Sequence, residues 1–242
     1  AGVLSVGESE KKPKKYNKIN VEGTKKLLES IKNTKVKNFI FSSTCAVYKD
    51  GLKVVTEKSN LLPRSIYGKT KLLGEKLIIN KFKKQNIKFA ILRFFNVAGA
   101  GYGLGQVKDA THLIARIMED PKLKVFGDKY DTPDGTAVRD YVHVKDIARA
   151  HALAVEYLNN SSNCIRINLG SGKGTSVLDV IKAVDNQTDL DVKYNVEGPR
   201  SGDPAKLVAN ISKAKAILGW EPDYELDKII HSAYNWYHNK DV

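Results

Sequence analysis

The sequence predicts an α/β fold with a parallel sheet, and two observations carry this prediction. Three short apolar runs, at residues 36–41, 87–95 and 164–169, each stop at a polar or glycine-rich loop, as buried strands do. Between these runs lie segments whose apolar residues recur at helical spacing. Strands that alternate with helices in this way indicate parallel strands joined by right-handed crossovers.

The helices follow in order along the chain. Residues 24–32 place Leu27, Leu28 and Ile31 on one face, and residues 67–82 and 144–158 have similar apolar faces. The rest of the chain is less regular, and we interpret it as a smaller cap interleaved with the sheet. Its predicted elements are a helix near 109–119, a strand near 123–126, a turn-rich stretch at 127–135, and helices near 176–184, 212–218 and 226–238.

The predicted sheet also indicates where chemistry should occur. In open parallel sheets, ligands bind beyond the carboxyl ends of the strands. We therefore expect the loops at 42–46, 96–105 and 170–174 to share one edge of the sheet.

The composition is that of an ordinary globular protein, with 42% hydrophobic and 28% charged residues. No apolar run approaches the roughly 18 residues that cross a bilayer, and the N-terminus lacks a basic leader, so we expect no membrane partner. Cys45 and Cys164 lie far apart and without metal-ligand spacing, which predicts no metal site and favours the cytoplasm. Because the chain begins at Ala1 rather than Met, we expect it to be truncated at its N-terminus.

The net charge of +13 raises the question of nucleic acid binding. Only seven of the basic residues are arginine, the residue that bidentate base or phosphate recognition favours. The densest lysine clusters, at 11–15 and 81–84, are predicted at solvated helix ends and are not interleaved with aromatic residues. The sequence therefore favours a compositional bias over a nucleic acid partner.

Tyr67 and Lys71 are four residues apart, hence on one face of a predicted helix. A nearby cation stabilises a phenolate, so such a tyrosine can act as a general base. The spacing alone is weak, because the chain has two further pairs of this kind, Tyr141 with Lys145 and Tyr224 with Lys228.

The residues before Tyr67 distinguish it from the other two tyrosines. A predicted strand ends at Ser42, Ser43 and Thr44, and the Thr44 hydroxyl can bind the same substrate hydroxyl that Tyr67 deprotonates. The alternative for Thr44 is a hydrogen bond to local backbone. For the neighbouring Cys45 we favour a small packing residue over an acid or nucleophile.

The set Ser42-Ser43-Thr44 with Tyr67-x-x-x-Lys71 resembles the catalytic triad of the extended short-chain dehydrogenase/reductase family. The resemblance extends over most of the chain and is closest to the members that epimerise C4 of UDP-glucose and UDP-galactose. The segments that carry it are residues 6–9, 20–24, 92–96, 125–144 and 168–170, of which 128–139 is the most specific.

The resemblance implies an incomplete Rossmann-type parallel sheet with an interleaved smaller α/β substrate-binding cap. Residues 1–95 and 140–172 would form a partial NAD-binding domain, and residues 96–139 and 173–242 a region that binds UDP-hexose. The G-x-x-G-x-x-G turn that holds the NAD pyrophosphate in this family is absent from the chain, so little activity is expected of these residues alone. The family also implies a homodimer through helices that include the one carrying Tyr67, although the stripe Leu72, Leu73 and Leu77 can equally pack within the monomer.

The resemblance also assigns roles to single residues. Tyr67 takes the proton of the sugar 4-hydroxyl, Thr44 orients that hydroxyl, and Lys71 holds the nicotinamide ribose and lowers the pKa of Tyr67. Residues implied to contact NAD are Ala1, Gly2, Asn20, Ser42, Ser43, Tyr67, Lys71 and Phe95. Residues implied to contact the nucleotide sugar are Thr44, Tyr67, Asn96, His112, Leu113, Lys124, Val125, Phe126, Arg139, Arg200, Asp203 and Leu207.

Other interpretations of these substrate residues stay open. Arg139 can form a structural ion pair with Asp140 or Asp134, and Arg200 with Asp203 can belong to a plain loop. The chain departs from the family pattern at Leu4, Lys49, Phe94 and Leu207, and Leu207 leaves N-acetylated substrates open.

Three competing functions remain. Residues 170–175 resemble part of a phosphate-binding P-loop but lack its first glycine and the hydroxyl residue after lysine. A nucleotide-sugar dehydratase or decarboxylase needs an acid directly after Thr44, where this chain has Cys45. A catalytically inactive fragment or binding module is the third, because the strand at 39–41 would have a bare edge.

Overall fold

The computed structural model describes residues 2–83, 87–107, 109, 111–200 and 204–238. The α-helices in this part of the chain are α1 (Val6–Lys11), α2 (Pro13–Tyr16), α3 (Gly23–Ser30), α4 (Ile66–Phe82), α5 (Leu113–Glu119), α6 (Val144–Asn160), α7 (Val177–Gln187), α8 (Ser212–Leu218) and α9 (Leu226–Tyr237). A π-helical segment, Asn17–Glu22, joins α2 to α3, and 3₁₀ turns occur at Ile31–Asn33 and Cys45–Val47.

The strands are more numerous than the sequence predicts. In chain order they are β1 (Asn38–Thr44), β2 (Val54–Val55), β3 (Lys88–Phe94), β4 (Asn96–Ala98), β5 (Lys122–Phe126), β6 (Val138–Arg139), β7 (Tyr141–His143), β8 (Ile165–Leu169), β9 (Thr175–Ser176), β10 (Lys193–Glu197) and β11 (Lys206–Ala209).

The chain divides into two compact units, which we describe separately. The first unit comprises Ala1–Asp50, Glu57–Phe94 and His151–Asn168, and the second comprises Gly51–Thr56, Phe95–Ala150 and Leu169–Val242.

The first unit contains a three-stranded sheet of order β1-β3-β8. Strands β1 and β3 are parallel, with Asn38 opposite Lys88 and Thr44 opposite Phe94, so the predicted parallel α/β architecture is confirmed. Helix α4 packs on β1, β3 and α3, because its apolar side chains face the sheet. The buried cluster that results consists of Leu28, Ile78, Phe82, Phe89 and Ile91.

The second unit contains small sheets. In one of them β11 runs parallel to β2 and to β6, and β6 is antiparallel to β9; two further parallel pairs are β5 with β10 and β4 with β7. Helices α5, α7 and α9 cover a common core. Its largest buried members include Ile117, Val180, Val184, Ile229 and Ile230.

Other differences from the predicted elements concern β1, α5 and the first two helices. Strand β1 continues to Thr44, because Ser42, Ser43 and Thr44 pair with the end of β3 instead of leaving the sheet. Helix α5 begins at Leu113, later than the predicted residue 109. Helices α1 and α2 were not predicted; α1 is capped by the Ser5 hydroxyl, which accepts a hydrogen bond from the Glu8 N–H at 3.2 Å.

No helix in the described part of the chain is both long and apolar enough to cross a membrane.

Candidate active site

Thr44 stands at the last position of β1, where its side chain is almost fully buried. Its Oγ1 accepts a hydrogen bond from the Ala46 N–H at 3.2 Å, which is the local backbone contact that the sequence left open. The same hydroxyl lies near enough to the Tyr67 side chain to act on the pKa of that phenol, which it lowers. The structure thus shows the local backbone bond, and the binding of a substrate hydroxyl by Thr44 stays a prediction.

Side chains from elsewhere in the chain hold Tyr67 at the start of α4. The first N–H groups of a helix have no partner within the helix. Here the Ile66 N–H donates to the Glu10 carboxylate at 2.7 Å, the Tyr67 N–H donates to the Ser9 hydroxyl at 3.1 Å, and the Gly68 N–H donates to the Ser65 hydroxyl at 3.0 Å. Only the Ser65 cap can be predicted locally from sequence, because Ser9 and Glu10 belong to α1.

Gly68 allows α4 to approach the turn that follows β1. A Cβ atom at this position would lie 2.3 Å from the Ala46 carbonyl oxygen and 2.9 Å from Pro63 Cβ, closer than atoms can pack. Any side chain larger than hydrogen would push the helix away from the turn. Gly68 is thus a positioning residue for the Thr44–Tyr67 contact, and the sequence prediction did not include it.

The electrostatics of Tyr67 differ from expectation. Burial raises its pKa to about 12, partly offset by the hydrogen bond with Thr44, while the nearby Cys45 and Tyr16 raise it further. Lys71 is not among the groups that shift this pKa, and its ammonium group lies 4.5 Å from the centroid of the Phe41 ring. The predicted effect of Lys71 on the pKa of Tyr67 stays a prediction.

Lys71 lies one turn beyond Tyr67 on α4 and is itself perturbed. Burial lowers its pKa to about 8, and the carboxylate of Glu75, one further turn along, acts in the opposite direction. An ammonium group has three N–H donors, which suit a ligand rich in hydroxyl groups. This donor set fits the ribose of a nicotinamide dinucleotide.

Beneath these residues lies a buried ion pair that the sequence prediction missed. The Arg93 guanidinium donates to both carboxylate oxygens of Glu75, with Nε–Oε1 at 3.0 Å and Nη2–Oε2 at 2.7 Å. Both side chains are at most 2% exposed. Glu75 also accepts a hydrogen bond from the Ser43 hydroxyl at 2.5 Å, and Tyr48 accepts one from Arg93 Nη1 at 2.9 Å. In the sequence, the one sign of this ion pair was an arginine, Arg93, inside an otherwise apolar predicted strand.

The residues predicted to contact NAD in the first unit are mostly bonded within the protein. The Asn20 side chain accepts from the Val3 N–H at 2.9 Å and donates to the Val3 carbonyl and to Thr70, so it clamps the segment after Gly2 against α4. Ser43 is buried against Glu75, whereas Ser42 is exposed. Phe95, in the second unit, is buried. Ala1 lies outside the described residues, and these cofactor contacts stay predictions.

The residues predicted to contact the nucleotide sugar belong to the second unit, apart from Thr44 and Tyr67. Asn96 begins β4 and donates its N–H to the Asp140 carbonyl at 2.9 Å, while His112 precedes α5 with its pKa lowered by burial. Lys124 is exposed and pairs with Glu197 at 2.9 Å. Partly or fully buried are Leu113, Val125 and Phe126.

Four of these residues lie in two contacts. Arg139 is beside Leu207, and Arg200 lies over the ring of Phe126. Arg139 on β6 is the register partner of Leu207 on β11, and its Nη1 donates to the carbonyls of Val138 and Pro204 at 2.9 and 2.8 Å. The Arg200 guanidinium lies 3.8 Å from the centroid of the Phe126 ring. Asp203 lies outside the described residues, so the predicted Arg200–Asp203 loop is not tested.

Backbone N–H groups of the glycine-rich loop after β8 that could bind a phosphate are already hydrogen-bonded within the protein. The N–H groups of Ser171 and Gly172 donate to the Asp140 carboxylate at 2.5 and 3.0 Å, and the Ala209 N–H donates to it at 3.0 Å. A P-loop needs such backbone donors for the nucleotide. Since Asp140 already occupies them, the resemblance of residues 170–175 to a P-loop has a structural explanation.

Within the described residues, no group of three or more His, Cys, Asp or Glu side chains could hold a metal ion. Cys45 is half-buried and Cys164 exposed, and neither forms a disulfide bond.

With this geometry in place, comparison with known proteins identifies the class. A family model described as the NAD dependent epimerase/dehydratase family matches residues 1–170, more than half of the chain. The chain belongs to this family. The resemblance drawn from Thr44, Tyr67, Lys71 and residues 128–139 is thereby confirmed at the level of the family.

The most similar relatives that we compared share a narrower description than the family does. The UDP-glucose 4-epimerase of Lactobacillus helveticus is 40% identical over 242 residues, which are 96% of this chain and 73% of the relative. The crystal structure of UDP-glucose 4-epimerase from Brucella ovis in complex with NAD has a TM-score of 0.93 at 38% identity, covering 98% of this chain and 76% of that one. The enzyme from Bifidobacterium longum in complex with NAD⁺ and UDP gives 0.90 at 35% identity, with 99% and 75% covered.

Proposed function

We propose that this chain carries the active site of a UDP-glucose 4-epimerase, which interconverts UDP-glucose and UDP-galactose through a 4-keto intermediate. The observation that carries the proposal is the placement of Thr44 at the end of β1 near Tyr67 at the start of α4, with Lys71 one helical turn further on. Its support is the likeness to epimerases of that name at 38 to 40% identity over nearly the whole chain.

In this proposal the protein residues handle the proton of the substrate. Tyr67 accepts the proton of the sugar 4-hydroxyl as general base and returns it after the sugar has turned. Thr44 already touches the Tyr67 side chain, so its hydroxyl orients the substrate hydroxyl toward that base. NAD, when bound, supplies the acceptor and donor for the hydride at C4.

The second unit is proposed to hold the UDP part of the substrate. Arg139 and Arg200 have guanidinium groups suited to a diphosphate, and Arg200 is exposed while stacked on Phe126. Asn96, His112, Leu113, Lys124, Val125, Asp203 and Leu207 are proposed as further contacts. The division into an NAD-binding part (1–95 and 140–172) and a UDP-hexose-binding part (96–139 and 173–242) belongs to the same proposal.

The residue after Thr44 favours epimerisation over other outcomes in the family. A dehydratase or decarboxylase would need an acid beside the bound ketone, and this position is Cys45. With no carboxylate there to expel water, re-reduction of the ketone is the simplest fate.

The test is conversion of UDP-galactose by the natural protein that carries this sequence. We expect the Tyr67→Phe variant to lose about 10²- to 10⁴-fold in kcat, because it removes the general base. Tyr194→Phe, which alters an exposed tyrosine of the second unit, should leave kcat unchanged. If Tyr67→Phe retains full activity, the proposed mechanism is wrong.

We also propose that these 242 residues, produced alone, retain NAD weakly and epimerise slowly, because they contain no G-x-x-G-x-x-G turn for the pyrophosphate. Stoichiometric NAD retained through purification would contradict this. If these residues bind UDP-hexose but neither bind NAD nor convert the sugar, they form a binding module instead.

Two further proposals concern the setting of the enzyme. Neither cysteine forms a disulfide bond, which suits the reducing cytoplasm. A homodimer through α3 and α4 is supported by the exposed side chains Leu27 and Leu73, while Leu72 is buried within the unit. Sedimentation of the natural protein would decide between monomer and dimer.

A further inference from the structure

The buried pair of Glu75 and Arg93 connects the elements that carry the catalytic side chains. Glu75 lies two turns after Tyr67 and one turn after Lys71 on α4. Ser43, its second partner, directly precedes Thr44 on β1, and Arg93 lies on β3 opposite Ser43. One carboxylate therefore ties the helix of Tyr67 to the strand of Thr44.

The network continues beyond the ion pair. Tyr48 follows the turn after Thr44, accepts from Arg93, and donates to the Asn168 side chain at 2.6 Å. The Asn168 N–H donates in turn to the Glu57 carboxylate at 2.8 Å. Every link lies within the first unit, so the network spans α4, β1, β3, β8 and the Cys45–Val47 turn.

A buried ion pair is an expensive way to stabilise a core. Removing two charges from water costs several kcal/mol per ion, and apolar replacements of similar volume are often no less stable. A carboxylate in this place has another consequence, because it lies one turn from a lysine whose own burial disfavours the charged form.

We propose that Glu75, held by Arg93 and Ser43, is a positioning residue that fixes Lys71 in its charged form beside Tyr67 and sets the spacing between Thr44 and Tyr67. The inference rests on the proposed function for its catalytic consequence. Its electrostatic consequence, the charge of Lys71, is independent of that function.

The other groups around this face of α4 are accounted for. Burial lowers the pKa of Lys71 to about 8, and Glu75 opposes that shift. Burial would also lower the pKa of Arg93, but its bonds to Glu75 outweigh burial and raise it, so this side chain stays a cation. The remaining titratable and charged side chains on or beside the elements packed against α4 are Glu8, Glu10, Tyr16, Glu22, Glu29, Cys45, Tyr48, Lys88 and the lysines between Lys11 and Lys26.

Glu75→Gln tests the proposal in the natural protein, because it keeps the shape and removes the charge. We expect kcat for UDP-galactose to fall at least about 10-fold with KM within about twofold, and the alkaline limb of the kcat profile to move about one unit to lower pH. Lys76→Gln, an exposed neighbour on the same helix, should change neither quantity. Ile78→Val, in the core of the same helix, controls for lost stability.

A double variant separates positioning from stability. Glu75→Leu with Arg93→Met replaces the pair by apolar side chains, so the melting temperature should stay near that of the parent. We expect kcat to remain as low as in Glu75→Gln. Recovery of parental kcat and pH profile in the double variant would overturn the proposal, since the pair would then serve stability alone.

Competitive acetylation of Lys71 across pH, followed by mass spectrometry, reads its charge without using activity. We expect the apparent pKa of Lys71 to fall in Glu75→Gln and to stay at its parental value in Lys76→Gln. An unchanged Lys71 pKa in Glu75→Gln would overturn the proposal even if the double variant fails to fold. A fall in this pKa together with no epimerase activity in the parent protein would instead reject the proposed function and leave the role of Glu75 standing.

Discussion

The phenol of Tyr67 is a weak acid in its own surroundings, because burial raises its pKa to about 12. Among the contacts that shift it, the hydrogen bond with Thr44 is the one that acts toward ionisation. Under the proposed function, Thr44 has two tasks, to orient the substrate and to make the base easier to generate. Thr44 and Tyr67 were identified from sequence, but the direction of the Tyr67 shift was not, because burial depends on packing that no motif records.

Thr44→Val isolates this second task at the scale of a residue. Removing a hydrogen bond that lowers the Tyr67 pKa must raise that pKa, so the rise of kcat with pH should move to higher pH. We expect kcat near pH 7 to fall about 10- to 100-fold. Thr34→Val, which alters an exposed hydroxyl at the end of the 3₁₀ turn, is the control. A Thr44→Val profile that shifts to lower pH would contradict the assigned role.

His143 provides a pH prediction in the second unit. It is 1% exposed, and burial with the nearby Lys145 lowers its pKa to about 4. Nδ1 accepts the Lys145 N–H at 3.0 Å, and Nε2 bonds the Ser232 hydroxyl at 2.9 Å. The imidazole is therefore held neutral.

The folded-state pKa of His143 lies below the unfolded value of about 6.5. At pH values between the two, the unfolded chain therefore binds the proton more readily than the folded chain does. Stability should be complete above about pH 6.5 and should decline as pH falls toward 4, by on the order of 2 to 3 kcal/mol from this residue. Urea unfolding of the parent protein and of His143→Gln at pH 7.5 and 4.5 checks this. Between the two pH values, the free energy of unfolding of His143→Gln should fall by less than that of the parent, and the difference should be the amount given above. Equal losses in both proteins would refute the assignment.

At the scale of the element, α4 is placed by contacts distant in sequence. Ser65 supplies the local cap, while Ser9 and Glu10 bind the next free N–H groups from α1. The long apolar periodicity of α4 made the helix predictable. Its anchors were not, since a hydroxyl and a carboxylate more than fifty residues away carry no local signal.

Gly68→Ala tests this placement. The new Cβ atom would lie 2.3 Å from the Ala46 carbonyl oxygen, so α4 must move away from the turn and carry Tyr67 from Thr44. A displacement of this kind costs about 10²-fold in rate. We expect kcat to fall by about that factor.

Gly7→Ala is the matched control, because a Cβ atom on that helical glycine would have no neighbour within 4 Å. Alanine is the better helix former, so Gly7→Ala should leave kcat unchanged and stabilise the protein by up to about 1 kcal/mol. Full activity in Gly68→Ala would show that the close approach is not required.

For the whole molecule, the sequence predicted the α/β class and the longer elements well. Strands β1, β3 and β8 and helices α4, α6, α8 and α9 lie within a few residues of their predicted positions. The short strands β2, β6 and β9 were missed because two residues show no periodicity. The proposed catalytic residues Thr44, Tyr67 and Lys71 were predicted from sequence and stay a proposal, whereas Glu75 and Arg93 emerged only when the sheet brought α4, β1 and β3 together.

The central claim is that the site of Thr44, Tyr67 and Lys71 inverts C4 by moving a hydride to NAD and back, with Tyr67 carrying only the hydroxyl proton. The most direct test is to convert UDP-galactose in D₂O with the natural protein and to examine C4 of the UDP-glucose by NMR. A hydride kept on the cofactor does not exchange with solvent, so the product should retain protium at C4. Deuterium at C4, or no conversion at all, would contradict the account.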